Sequence, residues 1–225
     1  MSNISACRAC SSRNLRVVWD LEKSPYGDLF QQVKSEATAL PYHEMTLTLC
    51  DNCSLVQVVQ ETDLEQQYDQ YLYNSTTTNG LGKFYTQTVS RLISDFSLKT
   101  DDLIIDIGSN DGTFLINFKN KGFQVLGIEP AEMSSRIAKE RGVNTLHSYF
   151  DSNSVTEILT NHKLPKLISI NYTLANVPDV HAFLKLVYEI MDDNSVLSII
   201  TGYHPDQFLV NMFDYIGHDH LSYFT

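Results

Sequence analysis

"LIIDIGSNDGTFL", residues 103–115, decides the fold. An apolar run ends on Asp106 and Ile107, a glycine turn follows, and "TFL" opens the next apolar segment. Gly108 lets the backbone turn sharply off a strand end, and Gly112 lets a helix start approach a ligand closely. Working outward, "FQVLGIEP" (123–130), "KLISIN" (166–171) and "SVLSIITGY" (195–203) are further short apolar runs. The first three of the four are rich in Ile, Val and Leu, as strands buried on both faces are. Between them lie helical stretches at 112–122, 133–142 and 180–191, and upstream a helix is expected over 83–96, with Phe84, Val89, Leu92, Ile93 and Phe96 at helical spacing. Alternating strand and helix predicts an α/β fold, a Rossmann-like domain with a parallel sheet.

The glycine turn has an acidic partner. "VLGIEP" puts Glu129 at the end of the next strand, 17 residues after Gly112, where a carboxylate can accept both ribose hydroxyls of an adenosine. A dinucleotide fingerprint would aim a helix N-terminus at a pyrophosphate. Here Asp106 precedes the turn and Asp111 lies inside it, beside Asn110. Carboxylates repel a pyrophosphate but suit a cation, so the turn favours S-adenosylmethionine, with its ammonium and sulfonium, over NAD. Asp111 also suits a helix cap. Tyr149, Phe150 or Asp151 in "HSYFD" can lie near the adenine, a core role being the default for the two aromatics, and Asn171 sits at a strand end where such a site opens.

Before residue 61 the pattern differs. "LRVVWDL", "HEMTLTLC" and "SLVQVV" are β-like runs between turn residues. All four cysteines fall in two CxxC pairs, Cys7/Cys10 and Cys50/Cys53, with 39 residues between the pairs. Two such turns can bring four thiolates to one zinc ion, a closed structural site; redox cysteines are the alternative. The expected organisation is a small β-rich zinc-binding domain over 1–60, a helical linker over 61–82 and a cofactor-binding domain over 83–225.

The formal net charge of −11 argues against a nucleic-acid partner. The N-terminus lacks a charged and then apolar leader, and no apolar run has the length of a membrane span. A cytoplasmic monomer is expected.

The ordered set "CRAC", "LTLCDNCSLVQ", "YLYNS", "DIGSNDGTFL", "GIEPAE", "LANVPDVHAFL" and "FDYIGHDHLSYF" resembles the nucleotide-sugar C-methyltransferases of antibiotic deoxysugar pathways, which open with a four-cysteine zinc domain. The resemblance implies methyl transfer from S-adenosylmethionine to a ring carbon of a dTDP-linked 4-keto-6-deoxysugar. It maps the acid/base pair onto Asp219 and His220, with His218 in support, and a tyrosine reaching the site onto Tyr71 or Tyr73. Family members continue into a C-terminal domain, so this chain reads as the front part of a longer enzyme. It departs from the family at Gly217, where a tyrosine is usual, and at Asp219, where a glutamate is. Two other readings stay open: a donor-binding module without turnover, and an NAD-dependent sugar-nucleotide oxidoreductase. Outside the resemblance, a His-Asp-His run is most simply a solvated loop or a helix cap.

Overall fold

The computed structural model describes residues 4–26, 32–60, 73–212 and 216–224. Two compact units emerge, neither contiguous in sequence: Met1–Tyr71 with Leu174–His181 and Thr201–Thr225, and Leu72–Thr173 with Ala182–Ile200.

The first unit is built on an antiparallel sheet. β1 (Leu15–Ser24), β2 (His43–Cys50) and β3 (Val56–Val58) pair in order, and β9 (Ser222–Tyr223) closes the far side of β3 through Val56↔Tyr223 and Gln57↔Ser222. A four-residue helix, α1 (Lys34–Ala37), lies between β1 and β2 in sequence. Met45, Leu47, Val58 and Tyr223 form the core on one face. A register shift between Val17 and Trp19 breaks β1, an outer strand, and Trp19 is exposed there. The helical linker expected over 61–82 falls outside the described residues as far as 72.

The second unit holds a five-stranded, wholly parallel sheet in the order β6-β5-β4-β7-β8. Its strands are β4 (Leu103–Ile107), β5 (Gln124–Glu129), β6 (Thr145–His147), β7 (Leu167–Asn171) and β8 (Val196–Ile200). β4 and β7 are buried at every position, which explains their unbroken apolar runs. The connecting helices are α2 (Leu81–Asp95), α3 (Leu115–Lys119), α4 (Glu132–Glu140), α5 (Ser152–Asn161) and α6 (Val180–Glu189), the last shared with the first unit; α7 (His204–Leu209) follows β8. Strand order reverses between β4 and β7, and open α/β sheets bind ligands at the carboxyl ends of strands at such a point.

One expectation about α2 is corrected. Its inward face is Tyr85 and Val89 with Leu81 and Leu92 packed alongside, whereas Phe84 and Phe96 are each 42% exposed. Tyr85 docks edge-on against Phe114 at 5.2 Å, beginning a herringbone that runs through Phe118 (5.6 Å) to Phe123 (5.5 Å). Such edge-to-face pairs are worth about 0.5–1.5 kcal/mol each beyond burial, which favours Tyr85 over Phe84 at the inward position, while Val89, Leu92 and Ile93 face the core as expected.

Candidate functional site

The switch point assembles from five segments. At the end of β4, Gly108 takes φ +74°, and a Cβ there would lie 2.0 Å from Thr173 Oγ1, so only glycine lets this turn pass the residues following β7. Ser109 folds back against Gly127 of β5, where a Cβ would meet its Oγ at 2.4 Å. Asn110 also turns left-handed, at φ 49°. Its backbone N–H donates to Glu129 Oε2 at 2.7 Å, and Ala131 N–H donates to Glu129 Oε1 at 2.9 Å. Glu129 is thereby aimed from both sides while each oxygen keeps a lone pair.

Asp106 is buried at the centre. Its Oδ1 accepts from Ser169 Oγ at 2.7 Å and from Asn171 Nδ2 at 2.9 Å. That bond orients the Asn171 amide, leaving Asn171 Oδ1 buried with no hydrogen-bond partner among the described residues. Burial raises the carboxyl of Asp106 to about 8 and that of Glu129 to about 7, against the lowering effect of their hydrogen bonds. The site thus presents acceptors: two carboxylates reluctant to ionise alone and one orphaned amide oxygen. A ligand bringing N–H or O–H donors and positive charge satisfies all three.

Asp111 serves the scaffold. Its Oδ2 accepts from Thr76 N–H (2.9 Å) and Thr76 Oγ (2.7 Å), its Oδ1 from Thr113 N–H (3.1 Å) and Thr113 Oγ (2.6 Å), and Arg141 Nη1 lies 3.4 Å away. Asn110 completes the clamp, accepting from Ser75 N–H at 2.9 Å and donating to the Tyr73 carbonyl at 3.0 Å. Together they pin the 3-10 turn Ser75–Thr77 over the glycine loop. Tyr73 is part of that segment, its hydroxyl 2.7 Å from Thr78 Oγ; Tyr71 lies outside the described residues. Phe150 packs edge-on against Phe183 at 5.3 Å, and Asp151 caps α5 in a reciprocal box with Ser154.

In the first unit the four cysteine sulfurs all lie within 4.8 Å of one another, with Cys7–Cys53 and Cys10–Cys50 each at 3.6 Å. A zinc tetrahedron with Zn–S near 2.3 Å needs S–S edges of roughly 3.8 Å, so the residues fit that ion. The two turns are built alike. Ser11 N–H donates to the Cys7 carbonyl (2.9 Å) and Ser54 N–H to the Cys50 carbonyl (2.8 Å), with both serines at positive φ. Between the first pair, Arg8 is buried and donates to the carbonyls of Val58, Gln60 and Pro178, which ties the knuckle to β3 and to the Leu174–His181 segment.

The histidine run divides. His218 is 4% exposed and packs edge-on against Tyr26 (5.2 Å) and His43 (6.0 Å), and burial pushes its pKa down. Asp219 and His220 are partly exposed, with His220 Nε2 3.7 Å from Asp219 Oδ2. A Cβ at Gly217 would meet Asp219 Oδ1 at 2.6 Å, and Gly217 N–H donates instead to the hydroxyl of Tyr223 at 3.1 Å.

Sequence reasoning passed over Thr76, Tyr85, Arg141, Ser169 and Tyr172. Ser169 was legible as a polar residue two positions before Asn171 inside "LISIN", and Tyr172 by its place directly after Asn171; Thr76, Tyr85 and Arg141 reach the site through tertiary packing that no spacing encodes.

Residues 81–225 match the family model described as "Methyltransferase domain", and residues 7–68 match one described as "Putative zinc binding domain". Among curated proteins, the C-methyltransferase NovU of Streptomyces niveus is 25% identical over 222 residues, covering 99% of this chain and 53% of NovU. The chain therefore spans about half the length of the curated relative it matches. Among solved structures, the plantazolicin methyltransferase BpumL, in complex with a triazolic desmethylPZN analog and SAH, aligns at TM-score 0.49 and 15% identity over 69% of this chain and 58% of that one. A SAM dependent methyltransferase from Archaeoglobus fulgidus aligns at TM-score 0.43 and 18% identity over 60% and 54%.

Proposed function

Since the chain belongs to the methyltransferase-domain family, we propose that it takes S-adenosylmethionine as methyl donor and methylates a ring carbon next to the ketone of a nucleotide-linked sugar. The observation that carries the donor is the acceptor set at the switch point: Glu129 held by two backbone N–H groups for the ribose diol, and Asp106 with Asn171 Oδ1 for the cationic end. Gly108, Asn110 and Gly112 give the ligand close access to the backbone, Asp111 holds the loop in shape, and Phe150 offers a ring for the adenine. When bound, the donor supplies an electrophilic methyl group.

The carbon acceptor is supported by likeness to a C-methyltransferase and by the family resemblance of the histidine run. We assign the dTDP-linked 4-keto-6-deoxysugars as the substrate class on that resemblance. Carbon beside a ketone becomes nucleophilic when its proton is removed. His220 is assigned as the base that takes that proton, imidazole being the common side-chain base near neutral pH, with Asp219 as its carboxylate partner 3.7 Å away. The freed electron pair forms the new C–C bond as the S–CH3 bond breaks, leaving a neutral thioether. Tyr73 and Tyr71 are assigned as hydroxyl donors toward the sugar and His218 as the buried anchor of the turn. Zinc is structural: with four thiolates it has no open position.

The test is calorimetric titration with S-adenosylhomocysteine, followed by turnover of a keto sugar nucleotide. Binding should weaken by roughly tenfold or more in Glu129→Gln, and His220→Gln should abolish turnover while leaving product binding unchanged. Absence of binding by the zinc-loaded wild type would sink the donor assignment. A second reading, a donor-binding module without turnover, is favoured by Gly217, which offers no phenol; binding without turnover on any keto sugar nucleotide would select it.

A further inference from the structure

Tyr172 has an unusual backbone. It directly follows Asn171 at the carboxyl end of β7 and takes φ +59°, a conformation that bulky side chains rarely hold. Strain of this kind persists where its surroundings over-determine it, and it gathers at ligand sites. The surroundings here are firm. Tyr172 N–H donates to the Ile200 carbonyl at 2.7 Å, the preceding Asn171 is tied to Asp106, and the following Thr173 fills the space left by the missing Cβ of Gly108.

That placement leaves Tyr172 46% exposed, and Tyr73, held by Asn110 through its carbonyl, 38% exposed. Two half-exposed tyrosines are thus anchored at the switch point, one directly after the Asn171 that holds buried Asp106 and one on Asn110 of the glycine turn. The guanidinium of Arg141 is engaged by Asp111 and Thr113. Aromatic faces beside negative charge form a setting for a desolvated cation.

We propose that Tyr172 and Tyr73 present an aromatic face to the sulfonium of the methyl donor, so that this pocket prefers the cationic donor to its neutral thioether product. The proposal rests on the donor assignment above and adds the residues that separate donor from product. Such a preference lets the spent thioether leave without competing against fresh donor.

The experiment compares Kd for S-adenosylmethionine and S-adenosylhomocysteine by calorimetry in the full zinc-loaded chain, for wild type, Tyr172→Phe, Tyr172→Leu and Tyr73→Leu. Tyr172→Leu should weaken donor binding roughly tenfold and product binding by less than twofold, and Tyr172→Phe, which keeps the ring, should match wild type. Tyr73→Leu reads the same preference from the other ring if the Tyr172 variant does not fold. Equal weakening of both ligands, or a Phe variant as impaired as the Leu variant, overturns the proposal and leaves the donor assignment standing. Wild type that binds neither ligand overturns both.

Discussion

Ligand binding at the switch point should be coupled to proton release, and the buried carboxyls fix how strongly. With Glu129 at about 7 and Asp106 at about 8, the ligand-free protein at pH 7 carries roughly 1.4 protons on the two groups together. A ligand whose hydroxyls need Glu129 as acceptor, and whose cationic end needs Asp106 ionised, expels them. The apparent affinity for S-adenosylhomocysteine should therefore rise roughly 500-fold between pH 6 and pH 8 and level off above that. Stability of the ligand-free fold moves the opposite way. A carboxyl whose pKa is raised by folding binds its proton more tightly folded than unfolded, so its stabilisation is present at low pH and is lost as pH rises toward the folded value. For Glu129, raised from 4.5 to about 7, this amounts to about 3 kcal/mol. Calorimetry in buffers of different ionisation enthalpy measures the released protons, and melting curves against pH measure the stability. An affinity that stays flat from pH 6 to 8, with binding enthalpy independent of buffer, would refute the reasoning. Glu129→Gln, in the binding that remains to it, should cut the pH dependence to roughly 50-fold, leaving the share due to Asp106.

Glycine substitutions separate strain from collision. Gly108→Ala meets Thr173 Oγ1 at 2.0 Å, whereas Gly80→Ala has a similar positive φ and nothing within 4 Å, so thermal melts should show a cost of about 1 kcal/mol for Gly80→Ala and at least twice that for Gly108→Ala. Asp111→Asn puts an amide against the Thr76 and Thr113 donors beside Arg141 and should destabilise by about 3–5 kcal/mol, read by urea denaturation; a loss below about 1 kcal/mol would argue against the clamp. One zinc per chain should be recovered by metal analysis. Its removal, or Cys50→Ala, should cost the first unit on the order of 10 kcal/mol and unfold its sheet, visible as loss of the far-UV β signal; an unchanged melt after chelation would contradict a structural metal.

The parallel sheet was legible because β4, β5 and β7 announce themselves as apolar runs punctuated by Gly108 and Glu129. β6, three residues long, carries no periodic signal, and α5 is hidden because its cap, Asp151, reads equally as a ligand candidate. The cysteine pairs were fully legible, since CxxC spacing is itself a geometric statement. The face of α2 was misjudged because Phe84 and Phe96 are more apolar than Tyr85, yet Tyr85 has the aromatic partners. The linear order at 60 and 82 also conceals packing, since Leu174–His181 and Thr201–Thr225 return to the first unit by pairing β9 with β3 and by the Arg8 bond to Pro178.

That return has a consequence for how the protein is made. β3 ends at Val58, but its second neighbour, Ser222–Tyr223, leaves the ribosome some 160 residues later. Emerging in order, both cysteine turns can close on metal while the core of Met45, Leu47 and Val58 still waits for the fully buried Tyr223. The parallel sheet, by contrast, is complete once Ile200 is out. Domains usually mature in the order of synthesis; here the unit begun first is completed only after the parallel sheet, and its apolar seam stays open until Tyr223 emerges. Closing so long a loop is slow, so the interval in which the nascent chain is vulnerable to aggregation is set by the arrival of β9, some 160 residues downstream of β3.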